Sequence, residues 1–129
     1  MKIAIHDGSG WNKQWVLFCK EHDIDYEVVD CYSSNIISKL KKFDILLWHF
    51  HHAIPKDILM ARNVLYSAER MGLRVFPNFN TCWHFDDKVS QKYLLEAINA
   101  PVVPSWAFYD KKVALKWLKH EASYPLVAK

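Results

Sequence analysis

The sequence predicts an α/β fold built on a parallel sheet, and three observations carry that expectation. Short apolar runs alternate with helix-spaced patterns from the N-terminus onward, the signature of strand–helix units feeding such a sheet. The run Phe43-Asp44-Ile45-Leu46-Leu47-Trp48 is almost continuously apolar, as expected of a central strand covered on both faces. Gly8-Ser9-Gly10 and Gly72 fall between runs of different period, where the chain must turn.

Taken in order, residues 2–6 read as a first strand and Gly8-Ser9-Gly10 as the turn after it. Trp11, Trp15, Phe18 and Cys19 then repeat at helical spacing. Residues 26–30 form the second strand. Ser33 or Ser34 can cap a short helix with Ile36, Ile37 and Leu40 on one face, and residues 43–48 are the third strand. Pro55 suits the first turn of a long helix carrying Ile58, Leu59, Leu65 and Ala68, with Gly72 as its left-handed terminator. Residues 73–76 are the fourth strand. Residues 79–85 break both periodicities and read as a connector, which divides the chain into a Rossmann-like domain (1–78) and a second unit (86–129). In the second unit, Asp86 or Asp87 can cap a helix bearing Val89, Tyr93, Leu94, Ala97 and Ile98, ended by Asn99 and Pro101. A strand is expected at 105–108, a helix capped by Asp110 that buries Ala114, Trp117 and Leu118, and a last strand at 125–128.

At 129 residues, 51% hydrophobic and 15% aromatic, the chain can bury roughly two-thirds of its unfolded surface. A net charge of +3 with scattered lysines gives no nucleic-acid footprint. Cys19, Cys31 and Cys82 are widely spaced and odd in number, which suits buried reduced thiols better than a disulfide framework. No apolar run approaches the ~20 residues that span a bilayer, so the expectation is a cytoplasmic protein without a membrane partner. Trp15, Trp48, Trp106 and Trp117 are expected in the core, whereas Trp83 lies in the connector.

His6, Asp7, Gly8, Ser9 and Gly10 follow the first strand, and His49 and His51 follow the third. Ligands of open parallel sheets collect at the carboxyl ends of the strands, so these residues are the candidates to line a substrate cleft. The glycine turn lacks the third glycine of the dinucleotide fingerprint, but its amides suit an anion. The histidines suit a carboxylate or the proton of an attacking amine. A zinc site needs three or four convergent ligands, and Trp48-His49-Phe50-His51-His52 offers two at best, so no metal site is expected. No paired carboxylates and no nucleophile triad stand out.

Lys88 and Lys129 carry the sharpest functional expectation. Each alone is an ordinary solvated lysine, but one follows Asp86-Asp87 at the start of a helix and the other ends Tyr124-Pro125-Leu126-Val127-Ala128 after one more strand and helix. That order of parts resembles the entry into the nucleotide domain of ATP-grasp carboxylate–amine or carboxylate–thiol ligases, the glutathione synthetase and ribosomal-protein glutamate ligase branch. The resemblance implies that Lys88 and Lys129 hold the phosphates of ATP, and that the Rossmann-like domain binds a small-molecule or peptide carboxylate. It also implies a glycine-rich loop, an adenine-binding hinge and magnesium ligands, all expected beyond Lys129. The chain is accordingly expected to stop inside a domain and to be inactive alone, with no catalytic residue assigned and a homo-oligomer left open. The alternative is a non-catalytic α/β domain that binds a small molecule or docks a partner. A receiver-like signalling domain is disfavoured because the third strand ends in Trp48 and His49 rather than an aspartate.

Overall fold

The computed structural model describes residues 1–8 and 10–128. Ser9 and Lys129, both singled out by the sequence, lie outside the described residues. The chain divides into two compact units, Met1–Asp87 and Lys88–Lys129.

The first unit is a parallel α/β sheet. Strands β1 (Ile3–His6), β2 (Tyr26–Val29), β3 (Ile45–Leu47) and β4 (Arg74–Phe76) pair in the order β2-β1-β3-β4. Every pair is parallel, with Ile3 opposite both Tyr26 and Ile45, and Ile45 opposite Arg74. The crossovers carry α1 (Trp11–Glu21), α2 (Ile36–Leu40) and α3 (Pro55–Arg70). Period-two alternation sorts the strand side chains between two faces. Ile3 and Ile5 pack with Cys19 of α1, beside Trp15, Ile45 and Leu47. Ala4, Leu46 and Trp48 form the opposite core with Leu40 of α2 and Ala61, Val64, Leu65 and Ala68 of α3. The near-continuous apolar run 43–48 thus has its reason, since β3 is interior and covered on both sides. The three cysteines are free and buried.

The long helix α3 shows how the sequence sets its own ends. Pro55 occupies the first turn, where its missing N–H costs no helical bond. At the other end Gly72 adopts φ +90°, and two bonds close the turn, Gly72 N–H to Glu69 O at 2.9 Å and Leu73 N–H to Ala68 O at 3.1 Å. This paired closure is the Schellman arrangement. Asp23 ends α1 at φ +51° with the outer of these two bonds, Ile24 N–H donating to Cys19 O at 2.9 Å. Neither Ser33 nor Ser34 caps α2, whose N-cap is Asn35 with no side-chain bond. The Ser33 hydroxyl donates to Asn35 Oδ1 instead, at 2.6 Å.

The expected connector is structured. Residues Phe79–Cys82 form a short helix, α4, whose N-cap Asn78 accepts from Thr81 N–H at 2.9 Å. Cys82 is fully buried and Phe79 packs on the α3-side core. Arg62 of α3 donates to Trp83 O at 3.1 Å, and Glu69 accepts from Phe79 N–H at 3.3 Å. A four-residue helix is too short to show a period, so only tertiary contacts reveal it.

The second unit contains α5 (Lys88–Ala97) and α6 (Lys111–His120). Asn99, at φ +54°, ends α5 in the same paired closure, with Ala100 N–H donating to Leu95 O at 2.9 Å. Asp110 caps α6 by accepting from Val113 N–H at 2.9 Å. The strands expected at 105–108 and 125–128 are not formed among the described residues. A strand exists only as a rung of a ladder, and neither segment meets a pairing partner there. Neither helix buries a residue, and Trp106 is 52% exposed rather than in a core. Trp106 and Phe108 stack instead on Trp117, with ring centroids 4.8 and 5.3 Å away. No helix among the described residues is long and apolar enough to cross a membrane.

Candidate functional site

In the order β2-β1-β3-β4 the connections leaving β1 and β3 depart to opposite faces of the sheet. A crevice therefore opens between them at the carboxyl ends of the strands, the position where open parallel sheets bind ligands. Asp7, Gly8 and Gly10 stand on one side of this crevice and His49 on the other, as chain order and strand pairing require.

Asn12 fastens the two sides. It is buried in the first turn of α1, and its Oδ1 accepts from His49 N–H at 3.3 Å. Gly8 makes room for it, since a Cβ at residue 8 would lie 2.3 Å from Asn12 Nδ2. The glycine is thus required by a close approach rather than by its turn alone. Above this fastening the Trp11 ring lies 6.2 Å from that of His49, and both side chains are exposed.

A second fastening joins the loops after β2 and β3. Asp57, buried in the first turn of α3, accepts from the Tyr32 hydroxyl through Oδ1 and from His51 N–H at 2.8 Å through Oδ2. Lys56 Nζ sits 3.9 Å from the centroid of the Tyr32 ring. Burial and the Asp57 carboxylate both push the Tyr32 phenol far above its ordinary pKa, so it stays a hydrogen-bond donor. Burial likewise pushes the neighbouring Cys31 thiol up to about 12, which leaves it protonated and unreactive.

His6 lies between these fastenings, itself buried, and is among the residues lining the groove beside Asp7 and Gly8. It is 5% exposed, with ring centroids 4.6 Å from Trp48 and 5.2 Å from Tyr32, the latter edge-on. Its Nδ1 accepts from Cys31 N–H at 3.1 Å. Burial lowers its pKa, and the carboxylates of Asp30, Asp57 and Asp7 only partly oppose that shift. The ring is therefore a neutral wedge that holds the β1 and β2 ends together. His49 and His51 are exposed but held by different anchors, His49 by Asn12 and His51 by Asp57. The His51 ring accepts from Ala53 N–H at 3.2 Å through Nδ1. His52 packs between Phe50 and Phe85 with both ring centroids 4.8 Å away.

Asn12, Tyr32 and Asp57 are the members that sequence reasoning missed. Only Asp57 carried a signal, as an acid in the first turn of a helix opened by proline. In the second unit Lys88 is the first residue of α5, and its Nζ donates to Gln91 Oε1 at 3.4 Å. No three His, Cys, Asp or Glu side chains among the described residues converge on a metal position.

A cavity of about 310 Å³ lies at the opposite end of the sheet, lined by Lys41, Asp44, Gly72 and Arg74 among others. It sits where α2 and α3 end, and basic side chains there complement the negative helix termini; it takes no part in the crevice. No protein-family model matches the chain, and no curated protein matches it.

Proposed function

We propose that the chain supplies the substrate domain and the opening of the nucleotide domain of an ATP-dependent carboxylate–amine or carboxylate–thiol ligase. The supporting observation is the order of parts. A parallel α/β unit with a switch-point crevice is followed directly by a helix that opens on Lys88 after Asp86-Asp87. Lys88 and Lys129 are read as the cations that hold the ATP phosphates, where fixed positive charge offsets that of the transferring group.

In this reading the substrate carboxylate attacks the γ-phosphorus. The bond to the β-phosphate oxygen breaks, ADP leaves, and an acyl phosphate forms. An amine or thiol then attacks the acyl carbon, phosphate departs, and the nucleophile's proton passes to a base. Asp7, Gly8, Gly10, His49 and His51, at the strand ends of the first unit, are read as the residues that meet the substrate, with Ser9 joining them by its place in the sequence. The exposed imidazoles are the groups suited to accept that proton. His6 acts from behind by positioning the strand ends. Magnesium, when bound, would supply positive charge to offset that of the phosphates; no group of three His, Cys, Asp or Glu is gathered for it among the described residues.

The test is calorimetry of Mg-ATP binding to the intact protein with Lys88→Ala and Lys129→Ala. Each variant is expected to weaken binding by about 1.5–3 kcal/mol, the cost of a charged hydrogen-bond partner. Unchanged affinity in both removes the phosphate role and leaves the first unit as a binding domain.

A further inference from the structure

We propose that the groove between α1 and the edge strand β2 binds a free α-amino acid with an apolar side chain. This goes beyond the ligase reading and does not rest on it: Asp7 and Gly8 are shared with the substrate side named there, but the groove needs neither ATP nor the second unit. The groove is open to solvent and has a volume of about 320 Å³, and its walls include Asp7, Gly8, Lys13, Val16, Leu17 and Val28. That volume lies at the lower end of small-molecule sites and suits a single amino acid better than a nucleotide.

Its floor is apolar. Val16 and Leu17 come from α1 and Val28 from β2, and Leu17 and Val28 remain 49% and 46% exposed. An aliphatic side chain laid on them would remove that surface from water, which favours binding. Gly8 keeps the wall beside Asp7 down to main chain, since any side chain there would run into Asn12.

The charges select the head group. Asp7 and Lys13 bring one negative and one positive charge to the same groove. Neither side chain forms an ion pair or hydrogen bond with another described residue. Lys13 does not serve the helix, because a cation in the first turn opposes the helix dipole. Two opposite charges left unpaired in one groove are complementary to a zwitterion, with the ammonium at Asp7 and the carboxylate at Lys13. A simple carboxylate would leave Asp7 unanswered, a simple amine would leave Lys13 so, and a phosphate would meet repulsion from Asp7.

The experiment is calorimetric titration of the full chain, without nucleotide, with L-leucine, glycine, 4-methylpentanoate and 3-methylbutylamine. Leucine is expected to bind, and each comparator, lacking the side chain, the ammonium or the carboxylate, to bind at least about tenfold more weakly, equivalent to about 1.4 kcal/mol. Asp7→Asn should weaken leucine by a similar factor and leave 4-methylpentanoate unaffected. Lys13→Gln should weaken leucine and leave 3-methylbutylamine unaffected. Both residues are exposed, and far-UV circular dichroism checks that the variants keep the fold. Absence of leucine binding, equal binding of 4-methylpentanoate, or indifference to Asp7→Asn overturns the proposal. A chain that binds leucine but not ATP keeps this site and sinks the ligase reading; the reverse result does the opposite.

Discussion

The helices of both units carry apolar stripes, that of α6 the most sharply segregated, yet their fates differ. In the first unit α1 and α3 lay their stripes on a sheet and bury Cys19, Ala61, Val64, Leu65 and Ala68. In the second, α5 and α6 bury nothing, and every buried side chain among the described residues belongs to the first unit. A 3.6-residue period therefore specifies a helix and the face it offers, but a sheet or another helix must be present for that face to be covered. Among its described residues the second unit shows the Asp110 cap, the closure at Asn99, the Lys92–Glu96 pair at 2.7 Å one turn apart, and only a small exposed stack of Trp106 and Phe108 on Trp117.

The largest effect that sharpens this contrast is a matched pair of leucine truncations. Leu65 is fully buried between α3 and the sheet, while Leu118 of α6 is 36% exposed. Leu65→Ala should cost about 2–5 kcal/mol, the transfer loss plus an unfilled cavity. Leu118→Ala should stay within about 1 kcal/mol, as at other sites without a packed surround. Urea denaturation followed by circular dichroism reads both, and equal losses would break the comparison.

A smaller effect tests the crevice rather than the core. Asp57 accepts two bonds, one through each oxygen, from Tyr32 and from His51 N–H. Asp57→Asn keeps the shape but turns one acceptor into a donor, so one of these partners is left facing an N–H. The expected loss is about 1.5–3 kcal/mol, the range for hydrogen bonds to a charged group. Faster amide exchange at His51 should accompany it. Unchanged exchange there would mean that the loops after β2 and β3 are held by something else.

The same pair of units explains what could be read in advance. Strands β1 to β4, the Pro55 start and the Gly72 stop were legible because each depends on residues near in sequence or on a burial pattern that continuous apolar runs betray. The strands expected at 105–108 and 125–128 were read from equally apolar text, but a ladder partner is a non-local fact. The site divides in the same way. The position of Asp7, Gly8 and His49 at strand ends followed from topology alone. The burial of His6, and the bonds from Asn12 to His49 and from Asp57 to Tyr32, join residues 25 to 37 positions apart, which no local pattern announces.

The smallest effect belongs to the unit without a core. Asp110 accepts from Val113 N–H at 2.9 Å and satisfies one of the donors that the start of α6 leaves without a helical partner. Its carboxylate also answers the positive end of the helix dipole. Asp110→Ala should cost about 1 kcal/mol. Because α6 has no buried face to hold it, that loss should appear as fraying of the helix itself rather than as a shift in unfolding of the sheet. Amide exchange at Val113 and Ala114 is then expected to quicken while protection at Ile5 and Leu46 stays unchanged. Equal quickening at the sheet would show that α6 draws its stability from the first unit, and the contrast between a unit held by packing and one held by local bonds would fail.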